Sequence, residues 1–259
     1  MLSSVLLVLA VVLGLFVGLL VCVEVGYEVG RRRAARDPDG ARAGQAAIEV
    51  AVFGLLGLLL AFTFGGAASR FDARRGLVVE EANDVGTAWL RLDLLRAEDQ
   101  PALRDLFRRY VDARIAMYKK MPDFEAARVE LAKANTLQTE IWTRSLEGCR
   151  RAGGPEATLL LLPALNAMID ITTTRTRAAL THLPGPILGA LLVVALLSAI
   201  VAGHAMSVAP TRNVLHGVLF AAAVAVTIYV ILDYEHPRVG LIRLDHSDEV
   251  MSELRESLK

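Results

Sequence analysis

Cysteine is nearly absent. Cys22 and Cys149 are the two cysteines in 259 residues and lie far apart, so neither a disulfide framework nor a cysteine-based zinc cluster can be built. The five histidines are scattered singly. Net charge is missing too: 28 Lys and Arg balance 28 Asp and Glu, which removes the electrostatic case for a nucleic-acid partner. No stretch alternates apolar and polar residues as a half-buried strand would, and no repeat of fixed period or low-complexity tract occurs. A Gly-rich phosphate loop, HExxH, GxSxG and CxxC are all lacking. The Ser, Thr, His and acidic residues have no spacing that assembles a nucleophile and a base. "TTTRTR" at Thr172–Arg177 reads as the polar face of a helix. Neither an enzyme nor a bound cofactor or metal is expected.

What is present is apolar length. The chain is 54% hydrophobic with a mean hydropathy of +0.45, too apolar for an ordinary soluble domain. Four runs stand out: Leu2–Val23, Ala46–Ala68 interrupted only by Glu49, Leu183–Ala202 and Val214–Leu232. Each approaches the ~20 residues needed to cross a bilayer. Hydrocarbon offers the backbone no partners, so these segments must be helices. The first run has no basic segment before it and a long apolar core, which predicts a retained span rather than a cleaved leader.

The connections divide the chain. Residues 1–68 read as a first hairpin, with spans at about 2–26 and 46–68 and a basic loop at 31–45. Residues 183–234 read as a second, with spans at about 183–203 and 213–233. Between them lies a domain at 69–182, and 235–259 is left as a C-terminal tail. Arg31, Arg32, Arg33, Arg36 and Arg42 mark the first loop as cytoplasmic by the positive-inside rule. The N-terminus, central domain and C-terminus then face outwards from a cell (inner) membrane. Arg70, Arg74, Arg75, Arg175 and Arg177 flank the domain itself and pull the other way.

The central domain reads as a helical bundle. Val78, Ala82, Val85, Trp89 and Leu92 recur near helical spacing, as do Leu103, Leu106, Phe107, Tyr110, Val111 and Ile115. A third stretch covers roughly Phe124–Cys149 and a fourth about Ala157–Leu180, with Pro101, Pro122 and Pro155 at the breaks. The fold class is therefore all-α membrane protein: two helical hairpins around a helical-bundle insert, with spans 2 and 3 running on into it. Span 2 is expected as one helix from about Ala46 to Leu95.

Three groups of residues are candidates for function. Gly14, Gly18, Cys22, Gly26 and Gly30 recur every fourth residue along span 1. With Gly185, Gly189 and Gly217 they allow close helix approach, either within the chain or between subunits. Charges at membrane depth form the second group. Glu49 lies in the first turn of span 2, where the helix dipole favours a carboxylate. Glu24 and Glu28 offset the arginine cluster, His204 and His216 flank the second loop, and Asp233 closes span 4 as a candidate partner for an arginine of the span 2 extension. The third group follows span 2: Arg70, Arg74, Arg75, Glu80, Glu81 and Asn83. These are either snorkelled arginines with a solvated face or a ring of charge at a pore mouth. Phe62 and Phe64, one to two turns below, suit either an apolar constriction or plain packing.

Several stretches together resemble the bacterial bestrophin-like domain family. They are "GYEVGRRR" after span 1, "GLLGLLLAFTFGGAASRFDARRGLVVEEAN" across span 2, "YVDAR" at Tyr110–Arg114, "LNAMID" at Leu165–Asp170 and "ILDYEHPRVGLIRLD" after span 4. The resemblance implies the two-hairpin layout with a helical insert, and no established activity. In layout it is distantly similar to bestrophins, oligomeric anion channels, which suggests a channel with anion selectivity. No acidic calcium-clasp run is present, so calcium gating is not implied. The expectation is an oligomeric ion channel lined by span 2, with the lipid bilayer, further copies of the chain and inorganic ions such as chloride as partners. The alternative is a non-conducting sensor or assembly module whose bundle binds another protein.

Overall fold

A computed structural model of the chain describes residues 2–36, 45–121, 123–207, 214–237, 241–242 and 245–259. The connections at 37–44 and 208–213, with Arg42 and Pro122, lie outside the described residues. The elements are α1 (Leu2–Arg36), α2 (Gln45–Arg91) with a 3-10 turn at Leu92–Leu94, α3 (Gln100–Lys120), α4 (Phe124–Ala152), α5 (Pro155–Leu180), α6 (Gly185–Ser207), α7 (Val214–Glu235) and α8 (Asp245–Ser257). No strand occurs among the described residues. Four stretches are long and apolar enough to cross a membrane: Leu9–Arg36, Ala46–Leu94, Pro155–Ser207 and Val214–Glu235. The all-α class and the four spans agree with the sequence pattern. So does the second helix, which runs unbroken through Gly65, Gly66, Gly76 and Gly86.

Contacts divide the chain into two compact units. The first comprises Met1–Ser69 and His182–Leu241. Within it, α1 lies along α6 and touches α7 more lightly. The cause is glycine. A Cβ on Gly26 would collide with the Ile200 carbonyl, one on Gly203 with the Val23 carbonyl, and one on Gly30 with the Ser207 side chain. Backbone therefore meets backbone, the contact that holds helices together where no hydrophobic drive exists between them. Leu19, Leu56, Leu191, Ala195, Ala199, Ala221, Ala225 and Ile228 fill the core around this seam. Phe53 meets Phe220 edge to face at 5.8 Å. The Thr63 hydroxyl donates to the Leu59 carbonyl at 2.6 Å and Ser198 to Val194 at 2.7 Å, so both are satisfied within their own helices.

Two sequence expectations change here. The basic segment after span 1 is not all loop: α1 stays helical to Arg36 and carries Arg31, Arg32, Arg33 and Arg36 on it. The sequence has no proline or glycine between Arg31 and Arg36, and Glu28 bonds Arg31 and Arg32 one turn on. Glu49 is not in the first turn of its helix, because α2 begins at Gln45 and has no acidic residue in that turn. The dipole's influence has faded by that position.

The second unit comprises Arg70–Thr181 and Ile242–Lys259. Val85, Trp89, Phe107, Tyr110, Val111, Ile141, Leu161, Leu165 and Met168 form its core. Pro101 lies in the first turn of α3 and Pro155 starts α5, positions where the missing N–H costs nothing. Asp123 caps α4 by accepting the Ala126 N–H at 3.0 Å, and Gly153 ends it at φ +81°, which an L side chain resists. Cys149 is buried in this core, where burial pushes its thiol pKa up. Part of the expected tail is structured. Helix α8 packs on α3, buries Met251 in the core with Leu258 just after it, and closes with Arg255 on Asp112 at 2.8 and 3.2 Å.

Glycine contacts separate two classes of position. Gly26→Ala is expected to cost about 1–3 kcal/mol or to prevent folding, because the obstructing atom is backbone. Gly14→Ala, with nothing within 4 Å of its Cβ position, is expected to shift stability by less than about 0.5 kcal/mol. Thermal unfolding of both variants in detergent, followed by size exclusion, checks this.

Candidate functional site

Charges placed on an apolar stripe must be satisfied inside the protein. Glu81 falls three residues after Val78 and four before Val85, and Arg114 falls four after Tyr110. Both positions therefore turn into the bundle. Glu81 is fully buried and Arg114 is 1% exposed. Arg114 donates from Nε to Glu81 Oε1 at 2.6 Å and from Nη2 to Oε2 at 3.0 Å, a bidentate fork. Arg175 of α5, also buried, donates to the same Oε2. The Tyr118 hydroxyl accepts from Arg114 Nη2 at 2.7 Å, and the Arg175 guanidinium lies 4.0 Å above the Tyr118 ring. Tyr110 receives Gln138 Nε2 at 3.1 Å. Three helices, α2, α3 and α5, thus meet in one polar network inside an apolar core.

Electrostatics fixes the protonation of this network. Burial alone would raise the Glu81 pKa, but Arg114 and Arg175 outweigh it and hold the carboxyl below its ordinary range. Burial pushes the Tyr110 phenol up, so it stays neutral. A carboxylate so held between guanidiniums does not exchange protons near neutral pH. Its bonds to Arg114 and Arg175 tie α2 to α3 and α5.

The other members of the charged group on α2 divide. Arg74 is buried and donates from Nε to the Ala178 carbonyl at 3.1 Å and from Nη2 to the Thr181 carbonyl at 2.7 Å. It caps the end of α5, where carbonyls lack helical partners. Arg70 is half-buried. Arg75, Glu80 and Asn83 are exposed, and Arg75 reaches Asp72 at 3.8 Å. In the spanning part of α2, Phe62 is 71% exposed, while Phe64 meets Tyr234 edge to face at 5.7 Å. Glu49 is half-buried. Asp233 is buried and accepts the Leu241 N–H at 2.9 Å.

Among the glycines, Gly26 and Gly30 lie against α6, and Gly217 lies near Val23. Gly18 has one neighbour within 4 Å, at 3.9 Å, and Gly14, Gly185 and Gly189 have none. Gly203 was missing from the sequence-based group. Its signal was available: it sits eight residues after Ala195 and four after Ala199 on the small-residue face of α6. Arg114 and Arg175 were missed as partners of Glu81 for another reason. They lie 33 and 94 residues away, and no local spacing links them.

No group of three or more metal-ligating side chains comes together among the described residues. The family model of the Bestrophin-like domain matches residues 17–248. The chain belongs to this family. No curated protein and no solved structure matches it. With its four apolar stretches it is a multi-pass membrane protein of bestrophin-like type, and the matched range takes in Glu81, Arg114 and Arg175.

The triad generates a test. Its stabilisation is fully present above the unfolded carboxyl value of 4.5 and is lost only as pH falls through the lower folded value. Acid unfolding of the bundle should therefore begin below the ordinary glutamate range. Glu81→Gln leaves two buried guanidiniums uncompensated and should cost about 3–5 kcal/mol at neutral pH, while removing that acid step. Helical circular dichroism against denaturant and against pH measures both.

Proposed function

We propose that this bestrophin-like protein assembles with further copies of itself around a path for inorganic ions, lined by the spanning part of α2. One observation carries the reading: that helix is left largely uncovered by its own chain. Val50 is 74% exposed, and Ile48, Leu55, Leu58 and Phe62 also face outward. Gly54, Gly57 and Gly65 have nothing within 4 Å of their Cβ positions. A smooth, uncovered helix of this kind suits a symmetric assembly, in which each copy supplies the same face. Further along α2, Arg75, Glu80 and Asn83 are exposed, and repetition about an axis would turn them into rings that bias ion entry. Chloride is the favoured ion, and the arginine-bearing end of α1 is the cytoplasmic one, with the N-terminus, bundle and C-terminus outside the inner membrane.

Arg75 is the residue to test, because Arg74 holds the end of α5 and its loss would confound folding with conduction. Reconstituted protein should pass chloride in preference to sodium and potassium, and Arg75→Glu should reduce that preference by roughly tenfold or more. A monomer by mass measurement, or ion flux that Arg75→Glu leaves unchanged, counts against the proposal. A second reading, a non-conducting module that binds a protein through its bundle, is supported by Leu90, Phe124, Val129 and Leu159, which are strongly exposed. It predicts sealed vesicles and a partner lost on Phe124→Asp.

A further inference from the structure

Helix α1 carries one face from apolar to basic without a break. Leu20, Val23, Glu24, Tyr27 and Arg31 recur at three- and four-residue spacing and so share that face. Against it, within the same unit, lie Met206 at the end of α6 and Val214, Gly217 and Val218 at the start of α7. These residues line a crevice of about 190 Å³. Among the described residues its wall is mostly aliphatic, with Glu24 and Tyr27 as the polar members. Gly217 lines it without a side chain, where a Cβ would lie 3.1 Å from Val23 and 3.6 Å from Met206. One turn beyond Tyr27 the arginines begin. Glu28 fixes two of them, accepting Arg31 Nε at 3.0 Å, Arg31 Nη2 at 3.1 Å and Arg32 Nε at 2.8 Å. A guanidinium has five N–H donors, so both keep donors beyond those bonds. Arg33 and Arg36 are exposed on the same helix end.

We propose that this crevice and the arginines beyond it form a site for one anionic phospholipid. The acyl chain would lie against Leu20, Val23 and Val218, and the phosphate on Arg31 and Arg32. Tyr27, between them, would meet the glycerol ester region with its hydroxyl. Charge complementarity selects the occupant. A neutral lipid would use the crevice and leave idle the exposed Arg33 and Arg36 and the donors that Arg31 and Arg32 keep beyond Glu28. A soluble phosphate would use the guanidiniums and leave the apolar crevice to other lipid. An anionic phospholipid joins both features in the order in which α1 presents them, at the depth where basic residues flank a span and attract acidic headgroups. The site is independent of whether the protein conducts.

The experiment is lipid retention by the full-length protein. Protein in detergent is loaded with equal phosphatidylglycerol and phosphatidylcholine, washed, and its bound lipid counted by native mass spectrometry. Phosphatidylglycerol should be retained in excess. R31Q/R32Q should lower that excess by about fivefold for each arginine, leaving phosphatidylcholine unchanged. V218W, which fills the crevice, should lower retention of both lipids. If V218W gives no helical protein, the exposed arginine pair decides alone. Equal retention of the two lipids, unmoved by R31Q/R32Q, would overturn the proposal and leave only an unselective lipid shell. Displacement of phosphatidylglycerol by millimolar inorganic phosphate would overturn it too, by showing a free-anion site.

Discussion

A buried carboxylate held between two guanidiniums is the constraint on which the bundle depends. Glu81, Arg114 and Arg175 come from α2, α3 and α5, and each would be costly to bury alone. Together they allow few alternatives: sliding any of the three helices by one residue would leave a charge without its partner. Apolar packing around Phe107, Leu161 and Met168 tolerates small shifts, whereas a bidentate fork does not. The triad carries one more positive than negative charge. The ring of Tyr118, beside both guanidiniums, offers its negative face to that excess.

The apolar unit is held by the opposite means. Its seam at Gly26, Gly30 and Gly203 works because side chains are missing, so that α1 and α6 touch through their backbones. One chain therefore uses two kinds of adhesion. Ion pairing sets the helix register in the bundle, and close van der Waals approach sets it in the apolar unit, where hydrocarbon would remove the hydrophobic incentive. Helix α2 runs through both settings. Many of its early residues, Ile48, Val50, Leu55, Leu58 and Phe62 among them, are apolar and exposed, and its later ones, Val78, Ala82, Val85 and Trp89, are buried.

Much of this fold is legible from residue spacing. Pro101 and Pro155 mark the helix starts they were expected to mark, because proline's missing N–H makes a helix start one of its few tolerated places. The run from Gln45 to Arg91 is legible because no proline interrupts it. Helix α8 was missed: Met251, Leu254 and Leu258 have helical spacing, but a short segment with many charges has too few apolar positions to stand out. The candidate site was harder to read. "ARR" and "EEAN" look uniformly charged, yet Arg74 and Glu81 turn inward while Arg75 and Glu80 do not. Neighbours in sequence differ by 100° around a helix, and only the position of the apolar stripe separates them. Their partners, the α5 carbonyls and distant arginines, are properties of the assembled bundle.

The burial of Cys149 has a practical side. Its thiol is shut inside the bundle and shifted towards the protonated form, which makes it slow to react with alkylating reagents. Cys22, the other native thiol, is half-buried on α1 within the apolar unit. The bundle thus has almost no reactive sulfur of its own. Cysteines introduced singly along α2 would report water access residue by residue against a quiet background, without first stripping the native thiols from a tightly packed core.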